Sequence, residues 1–480
     1  MASIKNTLIK GALFNAVAKY YSMACNLVVV AVLARILAPD DFGVVAVTTV
    51  ITAFFDLLAD AGLGPAIIQS QDLEDQELSD IFTFSVFFAG VMVLLYGLCI
   101  WPLSLYYKVE SLPNLLALLS AQLFFTTINV LPRSLMLKAK RFKELSIISV
   151  SNATICGVLS VLAAVLGWGL YSLIITPIGW ALLSFVFCFI KCGKTLKIKL
   201  AVNFRPIRKI LNFSFYQFGF NFINYFSRNA DKLLLGKYIG MAPLGYYEKS
   251  YRLMTLPLSS LSQVIAPTLQ PVLSEYQSNI SIISEAYKKI SKYMLFIGCI
   301  VTPILFFCAR EIILIIFGSQ WEPAVPIFKV LSLSVLFQML DSLSGGFLQS
   351  CNAFKYLFIS GLICAIVNVG FLIIGLVVSD DIVVISGFVS LALAFNLFIS
   401  VYYIVKLSFK ESIKEFIVLF KVPLLLLCTN SALLSLLSSI HVSLMISLFI
   451  KITITVLVSL LIGEYTHFCS LKALSSFSKK

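Results

Sequence analysis

Runs of twenty or more apolar residues recur from one end of this sequence to the other. Each can cross a hydrocarbon core of about 30 Å as an α-helix, and inside a bilayer only helices or closed barrels satisfy every backbone polar group internally. Of the 480 residues, 60% are hydrophobic and 12% charged, whereas a soluble domain is about half apolar and about a quarter charged. The solvent of this chain is therefore lipid, and the expected fold is an all-α polytopic membrane protein.

The runs bracket about fourteen spans. In the first half they are Ala12 to Leu37, Gly43 to Ile68, Ile81 to Leu105, Leu112 to Leu131, Leu145 to Leu166 and Leu170 to Ile190. After a basic segment come Ile210 to Ile239, Gly245 to Leu273, Tyr293 to Phe317, Ala324 to Leu348, Tyr356 to Val378, Ile382 to Val405, Phe416 to Leu437 and Val442 to Ile462. The first run is too long, and carries Lys19 and Arg35, to be a cleaved signal peptide. The expected organisation is a six-helix lobe over residues 1–190, a basic cytoplasmic linker over 191–209, a second six-helix lobe over 210–405, and two further helices with a tail over 406–480.

An even span count puts both termini on one side, and Lys and Arg choose it, because cytoplasmic loops carry the positive excess. With the N-terminus inside, the inner segments hold Arg133, Lys138, Lys140, Arg141 and Lys143, seven basic residues from Lys191 to Lys209, and most of the later lysines. The outer loops hold Lys108 and Arg310. This placement absorbs the net charge of +13, which in a soluble chain would point to nucleic acid. No nucleic-acid partner is expected. The acidic inner loop Gln69 to Asp80 is an exception of little weight.

Catalytic and metal chemistry find little to work with. Eleven cysteines are scattered singly and only two histidines, His441 and His467, are present, so neither a disulfide framework nor metal-ligand spacing is visible. No outer loop is long enough to house a conventional active site. The expectation is a non-enzyme with no cofactor, whose function lies in the helix bundle.

Shifting the chain by 202 positions lays Ala34-Arg35-Ile36-Leu37-Ala38-Pro39-Asp40-Asp41-Phe42-Gly43 on Gly236-Lys237-Tyr238-Ile239-Gly240-Met241-Ala242-Pro243-Leu244-Gly245, and Pro65 on Pro267. A parallel repeat of this kind builds transporters from two related bundles around a midplane site. The same shift relates two polar stripes at helical spacing: Asn15, Lys19, Ser22 and Asn26 on span 1, and Gln217, Asn221, Asn224 and Arg228 on span 7. Lipid would penalise such faces and a water-filled cavity would not.

Charges inside spans need a reason, since each costs about 3 kcal/mol or more at the bilayer centre. Arg35 and Lys237, and with them Lys329 and Lys451, lie where a long side chain can snorkel to the interface. Arg228, Asp231 and Lys232 on span 7, and Glu248, Lys249 and Arg252 on span 8, form clusters of net positive sign that suit an anionic group such as pyrophosphate. A self-neutralising network that orients the helices is the structural alternative. Asp56 and Asp60 at i,i+4 on span 2, together with Asp231, are the candidates for proton or sodium coupling, and Asp341 is a further intramembrane carboxylate.

The run Leu33 to Gly43, the segment Asp60-Ala61-Gly62-Leu63-Gly64-Pro65-Ala66-Ile67-Ile68-Gln69, and the motifs Asn229 to Gly236, Leu244-Gly245-Tyr246-Tyr247 and Phe317-Gly318-Ser319-Gln320-Trp321 resemble the signatures of Wzx-type and colanic-acid-exporter-type polysaccharide flippases. These belong to the multidrug/oligosaccharidyl-lipid/polysaccharide exporter superfamily. The resemblance implies a bacterial cytoplasmic-membrane carrier of undecaprenyl-pyrophosphate-linked oligosaccharide, with membrane lipids around it and a polymerase and other assembly proteins as partners. It also implies a cationic cavity, whose lining at matching positions would be Lys19, Arg228, Lys232, Lys249 and Arg252, beside the polar positions Asn15, Asn26, Asn221 and Asn224. A cation-coupled drug antiporter of the same superfamily would want carboxylates and aromatics instead, and a polymerase or ligase would want a large outer loop.

Overall fold

The computed structural model describes residues 2–60, 64, 67, 68, 74–192, 222, 225–274, 276, 277, 279–438, 442–466 and 468. These residues are helices and short connections, with no strand among them. In chain order the helices are α1 (Ala2–Ile36), α2 (Pro39–Asp60), α3 (Asp75–Tyr107), α4 (Leu112–Lys138), α5 (Phe142–Val165), α6 (Tyr171–Cys192), α7 (225–238) and α8 (Met241–Ser274). There follow α9 (Ile280–Phe307), α10 (Ala309–Phe317), α11 (Ala324–Ser332), α12 (Val335–Asp341), α13 (Ser344–Ser350), α14 (Phe354–Val378), α15 (Ile382–Val401), α16 (Ile413–Val418), α17 (Lys421–Leu437) and α18 (Leu444–Tyr465).

Eleven helices among the described residues are long and apolar enough to cross a membrane, or twelve if the bent pair of segments Ala324–Ser332 and Val335–Ser350 is one span. Two of the fourteen expected spans are not in that set. Of span 7, residues 210–221, 223 and 224 lie outside the described residues, and α7 is its described end. Span 8 is helical as α8, but Glu248, Lys249 and Arg252 crowd its start and Ser259, Ser260 and Ser262 its middle. The acidic inner loop also has a local reason: Asp75 and Glu77 sit in the first turn of α3, where Glu77 accepts the Glu74 backbone N–H at 3.1 Å. Carboxylates there face the positive end of the helix dipole.

The chain forms two compact units, Met1–Gly245 and Tyr246–Lys480. In the first, α1 lies along α5, α4 is flanked by α3 and α6, and α2 rests on α4. Lipid tails are as apolar as leucine, so helices associate through close packing and interhelical hydrogen bonds rather than by escaping water. Both are present. A Cβ on Gly157 would come within 2.6 Å of Val29 Cγ2, and one on Gly179 within 2.9 Å of Cys156 Sγ. Tyr21 and Thr154 share a hydrogen bond of 2.9 Å, and Asn152 Nδ2 donates to Ser184 Oγ at 2.8 Å.

In the second unit α9 is the central helix, packed on α12 and α17. Its Tyr287 is wholly buried among Phe347, Phe409 and Phe416. Two expectations change here. The span expected from Tyr293 to Phe317 begins earlier, at Ile280, and stops at Phe307, with α10 as a separate helix after Cys308. The span expected from Ala324 to Leu348 is broken into α11, α12 and α13, with a bend of 47°. Hydropathy cannot see such breaks, because the broken segments stay apolar. Side chains satisfy the backbone at the break: Ser390 Oγ donates to the Val330 carbonyl at 2.8 Å, and Ser334 Oγ to that of Leu331 at 2.7 Å. Between α10 and α11 the chain turns at Gly318, whose φ of 97° suits glycine, and seats Trp321 in full burial against Tyr246 and Phe317. That accounts for the Phe317 to Trp321 motif.

Candidate functional site

In the first unit the polar residues of α1 divide. Asn15 Oδ1 accepts a hydrogen bond from Ser146 Oγ of α5 at 3.1 Å, so it serves helix packing. Lys19 is exposed, Asn26 is half-buried, and Ser22 Oγ is buried without a hydrogen-bond partner. Gln217, Asn221 and Asn224 lie outside the described residues.

The cations of α7 stand on a helix fixed firmly at its other face. Gly236 lets α7 approach α2, since a Cβ there would meet Val47 Cγ2 at 2.8 Å. The Tyr225 hydroxyl donates to the Val50 carbonyl. Phe54 of α2 packs on Phe222, Tyr225 and Phe226, with ring centroids 5.8, 6.0 and 5.3 Å away. The far end is held by α3, where Tyr107 donates to the Leu233 carbonyl at 3.3 Å. Lys237 donates to the Tyr106 carbonyl and lies over the Tyr106 ring at 4.3 Å. With those contacts taken, Arg228 remains exposed and Lys232, one turn on, is half-buried. Asp231 accepts the Lys232 backbone N–H at 2.8 Å.

The span 2 carboxylates separate as well. Asp56 Oδ2 accepts from Gln122 Nε2 of α4 at 3.0 Å, while its Oδ1 is buried with no hydrogen-bond partner. Tyr96 and Tyr225 lie within its electrostatic reach, and the Tyr96 hydroxyl shares a 2.8 Å hydrogen bond with Thr52. The side chain of Asp60 lies outside the described residues. Neither Gln122 nor Tyr96 stands out in the sequence. Each is a single polar group on an otherwise apolar run, a weak signal until the helices are placed.

In the second unit Lys249 is buried, at 7% exposure, and Arg252 is exposed. Ser250 between them donates to the Ala324 carbonyl at 3.2 Å and anchors α8 to the start of α11.

One expectation is overturned. Lys451 does not snorkel: it is 5% exposed and forms an ion pair with Glu311 of α10, which is 7% exposed and also accepts from Ser447 Oγ at 2.9 Å. The two partners are 140 residues apart in sequence, beyond the reach of any local pattern. Nearby, Asn430 Nδ2 donates to the Cys299 carbonyl at 3.0 Å and to Ser459 Oγ at 2.9 Å, tying α17 to α9 and α18.

Comparison with known proteins places this architecture. The family described as polysaccharide biosynthesis protein matches residues 32–326. An uncharacterized membrane protein in the cps region of Klebsiella pneumoniae is 26% identical over 355 residues, covering 72% of this chain and 72% of that protein. The succinoglycan biosynthesis transport protein ExoT of Rhizobium meliloti (strain 1021) is 24% identical over 334 residues, covering 67% of this chain and 65% of ExoT. Among solved structures, the lipid II flippase MurJ in an inward closed conformation has a TM-score of 0.75 over 95% of this chain and 99% of its own, at 17% identity. At that identity the likeness is one of fold.

Proposed function

Because the chain belongs to the polysaccharide biosynthesis protein family, we propose that it carries an undecaprenyl-pyrophosphate-linked oligosaccharide from the inner to the outer leaflet of a bacterial cytoplasmic membrane. The cargo is a repeat unit for O-antigen, capsule or exopolysaccharide, moved by alternating access and without chemical change. The protein is then a carrier and not an enzyme. A polymerase and other assembly proteins would take up the product on the far side, and both termini face the cytoplasm, as the Lys and Arg distribution favours.

The observation that carries this reading is the cation set. Arg228 is exposed on α7 with Lys232 one turn away, and Arg252 is exposed on α8. Guanidinium groups offer paired donors to phosphate oxygens, which suits a pyrophosphate better than a neutral drug. Lys19 and Lys249 complete the proposed cationic lining, with Asn15, Asn26, Asn221 and Asn224 as its polar positions. Asp56 leads the carboxylates proposed for proton or sodium coupling, ahead of Asp60 and Asp231. It has one oxygen held by Gln122 and the other buried and unpaired, so a bound proton or cation would relieve it.

The test is a deletion strain. Lipid-linked oligosaccharide should be assembled but held at the inner leaflet, and surface polysaccharide should be lost. Arg228→Ala and Arg252→Ala should reproduce that loss at normal membrane abundance of the protein. Repeat units found on the outer face of the deletion strain, unpolymerised, would refute the carrier reading and favour a polymerase or ligase.

A further inference from the structure

Polar side chains gather where the broken span of the second unit meets its neighbours. Asp341 ends α12, and after a short break Ser344 opens α13. Ser400 Oγ of α15 donates to Asp341 Oδ1 at 2.5 Å. Tyr287 of α9 lies within electrostatic reach of the Asp341 carboxylate, with the hydroxyls of Ser291 and Ser344 beside its own. All five residues belong to the second compact unit.

Three of these oxygens are left over. Tyr287, Ser291 and Ser344 are 0%, 0% and 5% exposed, and none of their side-chain oxygens completes a hydrogen bond. A buried polar group without a partner keeps its desolvation cost, so such groups are rare, and three facing one carboxylate point to a shared ligand. Tyr287 cannot swing its hydroxyl elsewhere, because Phe347, Phe409 and Phe416 pack on its ring at 4.9, 5.6 and 5.5 Å. Ser291 and Ser344 also forgo the bond to a carbonyl one turn back that satisfies Ser386.

We propose that these groups hold a monovalent alkali cation, which braces the broken span against α9 and α15. A hard cation takes oxygen ligands, and hydroxyls can turn their hydrogens away and present lone pairs to it. One carboxylate among neutral hydroxyls suits a single positive charge, whereas calcium draws several carboxylates. Among the described residues no three His, Cys, Asp or Glu side chains come together as a metal site, which sets transition metals aside. A proton on Asp341 would serve one oxygen, but a cation can gather the carboxylate and all the hydroxyls at once. The backbone around the site is broken in the way that suits ion binding within a membrane. Besides the break at Asp341, α15 passes into π-helical turns over Tyr402–Ser408, just beyond Ser400, a distortion common at functional sites. Asp341 itself is half-buried, so an ion can reach it. The site is separate from Asp56, which lies in the first unit, and it does not rest on the carrier reading.

The test uses the purified full chain in detergent, its unfolding temperature followed as sodium chloride replaces choline chloride at constant ionic strength. Sodium should raise that temperature saturably, by about 2 °C or more. Asp341→Asn and Ser400→Ala should abolish the rise. Tyr287→Phe keeps the ring in its aromatic socket and removes one ligand oxygen, so half-saturation should move to severalfold higher sodium. Ser390→Ala, on the same helix as Ser400 but bonded to the Val330 carbonyl, should keep the parent response. Equal unfolding temperatures in sodium and choline would leave the hydroxyls to ordered water and overturn the site. A parent-like sodium response in Asp341→Asn or in Tyr287→Phe would overturn it too. So would stabilisation by acid with none by sodium, which would make Asp341 a proton site.

Discussion

The two repeats meet in a backbone crossing, where a Cβ on Gly43 would overlap the Met241 carbonyl and one on Gly245 that of Pro39, and they reach it by different turn chemistry. Between α1 and α2, the Asp41 side chain accepts the Ala38 backbone N–H at 3.1 Å, and no residue from 36 to 39 takes a positive φ. Between α7 and α8 the position equivalent to Asp41 is Pro243, which has no side-chain acceptor. There the chain turns at Gly240 with φ 112°, its N–H reaching back to the Leu235 carbonyl at 3.1 Å. A carboxylate cap and a glycine turn are interchangeable when what must be kept is the position of the following helix. The fourth helices diverge further. In the first unit α4 runs unbroken from Leu112 to Lys138 through Pro132, whereas its counterpart is the broken set α11 to α13. The second unit also carries a buried ion pair, Lys451 with Glu311, that fixes its last helix. The repeat thus conserves the geometry of the crossing and leaves each unit to brace itself.

The largest expected effect tests that bracing. Lys451→Met should strand the Glu311 carboxylate in apolar surroundings and destabilise the second unit by about 3–5 kcal/mol. Glu311→Leu with Lys451→Met should recover most of the loss, since a hydrophobic pair of similar volume replaces the charges. Thermal unfolding in detergent, read by limited proteolysis of α18, checks both. A double variant no better than the single would mean that the ion pair does more than hold helices together.

A smaller effect separates the two turns. Gly240→Ala forces a left-handed backbone on a residue with a Cβ and should cost about 1–2 kcal/mol. Asp41→Ala removes a side-chain cap and should cost about 1 kcal/mol. Gly240→Asn should lose less than Gly240→Ala, because asparagine tolerates positive φ better. The ordering is read from the unfolding temperatures of the three proteins, and equal losses at Gly240→Ala and Gly240→Asn would show that the turn is not what limits stability there.

The smallest effect is electrostatic and belongs to the second unit. Burial raises the Glu411 pKa, but hydrogen bonds from Lys288 and Ser284 outweigh it and hold the carboxyl below its ordinary value. Lys288 Nζ lies 2.7 Å from one Glu411 oxygen, and Ser284 Oγ donates to the other at 2.6 Å. Because the folded pKa is depressed, the contribution is fully present above the ordinary glutamate pKa of about 4.3 and is lost as pH falls through the lower folded value. Partly exposed pairs of this kind contribute no more than about 1 kcal/mol. Glu411→Gln should therefore lower the neutral plateau of the unfolding-temperature profile slightly and flatten its acid limb, meeting the parent protein at low pH. An unchanged acid limb would remove Glu411 from the account.

Much of this was legible in the sequence because hydropathy is a local property. A run of about twenty apolar residues is marked as membrane-spanning by its own composition, and eleven or twelve such spans are seen among the described residues. The repeat was legible too, since Gly43 and Gly245 occupy matching places in matching motifs. What sequence could not decide was the fate of each polar group within a span. Asn15 and Lys19 sit one turn apart and both are exposed, yet Asn15 bonds to Ser146 of α5. Lys451 resembled a snorkelling lysine until α10 brought Glu311 against it. Whether a buried charge binds a cargo, steadies a helix or reaches for water depends on which groups lie within a few ångströms. Those groups come from distant parts of the chain, so only the tertiary structure assigns them.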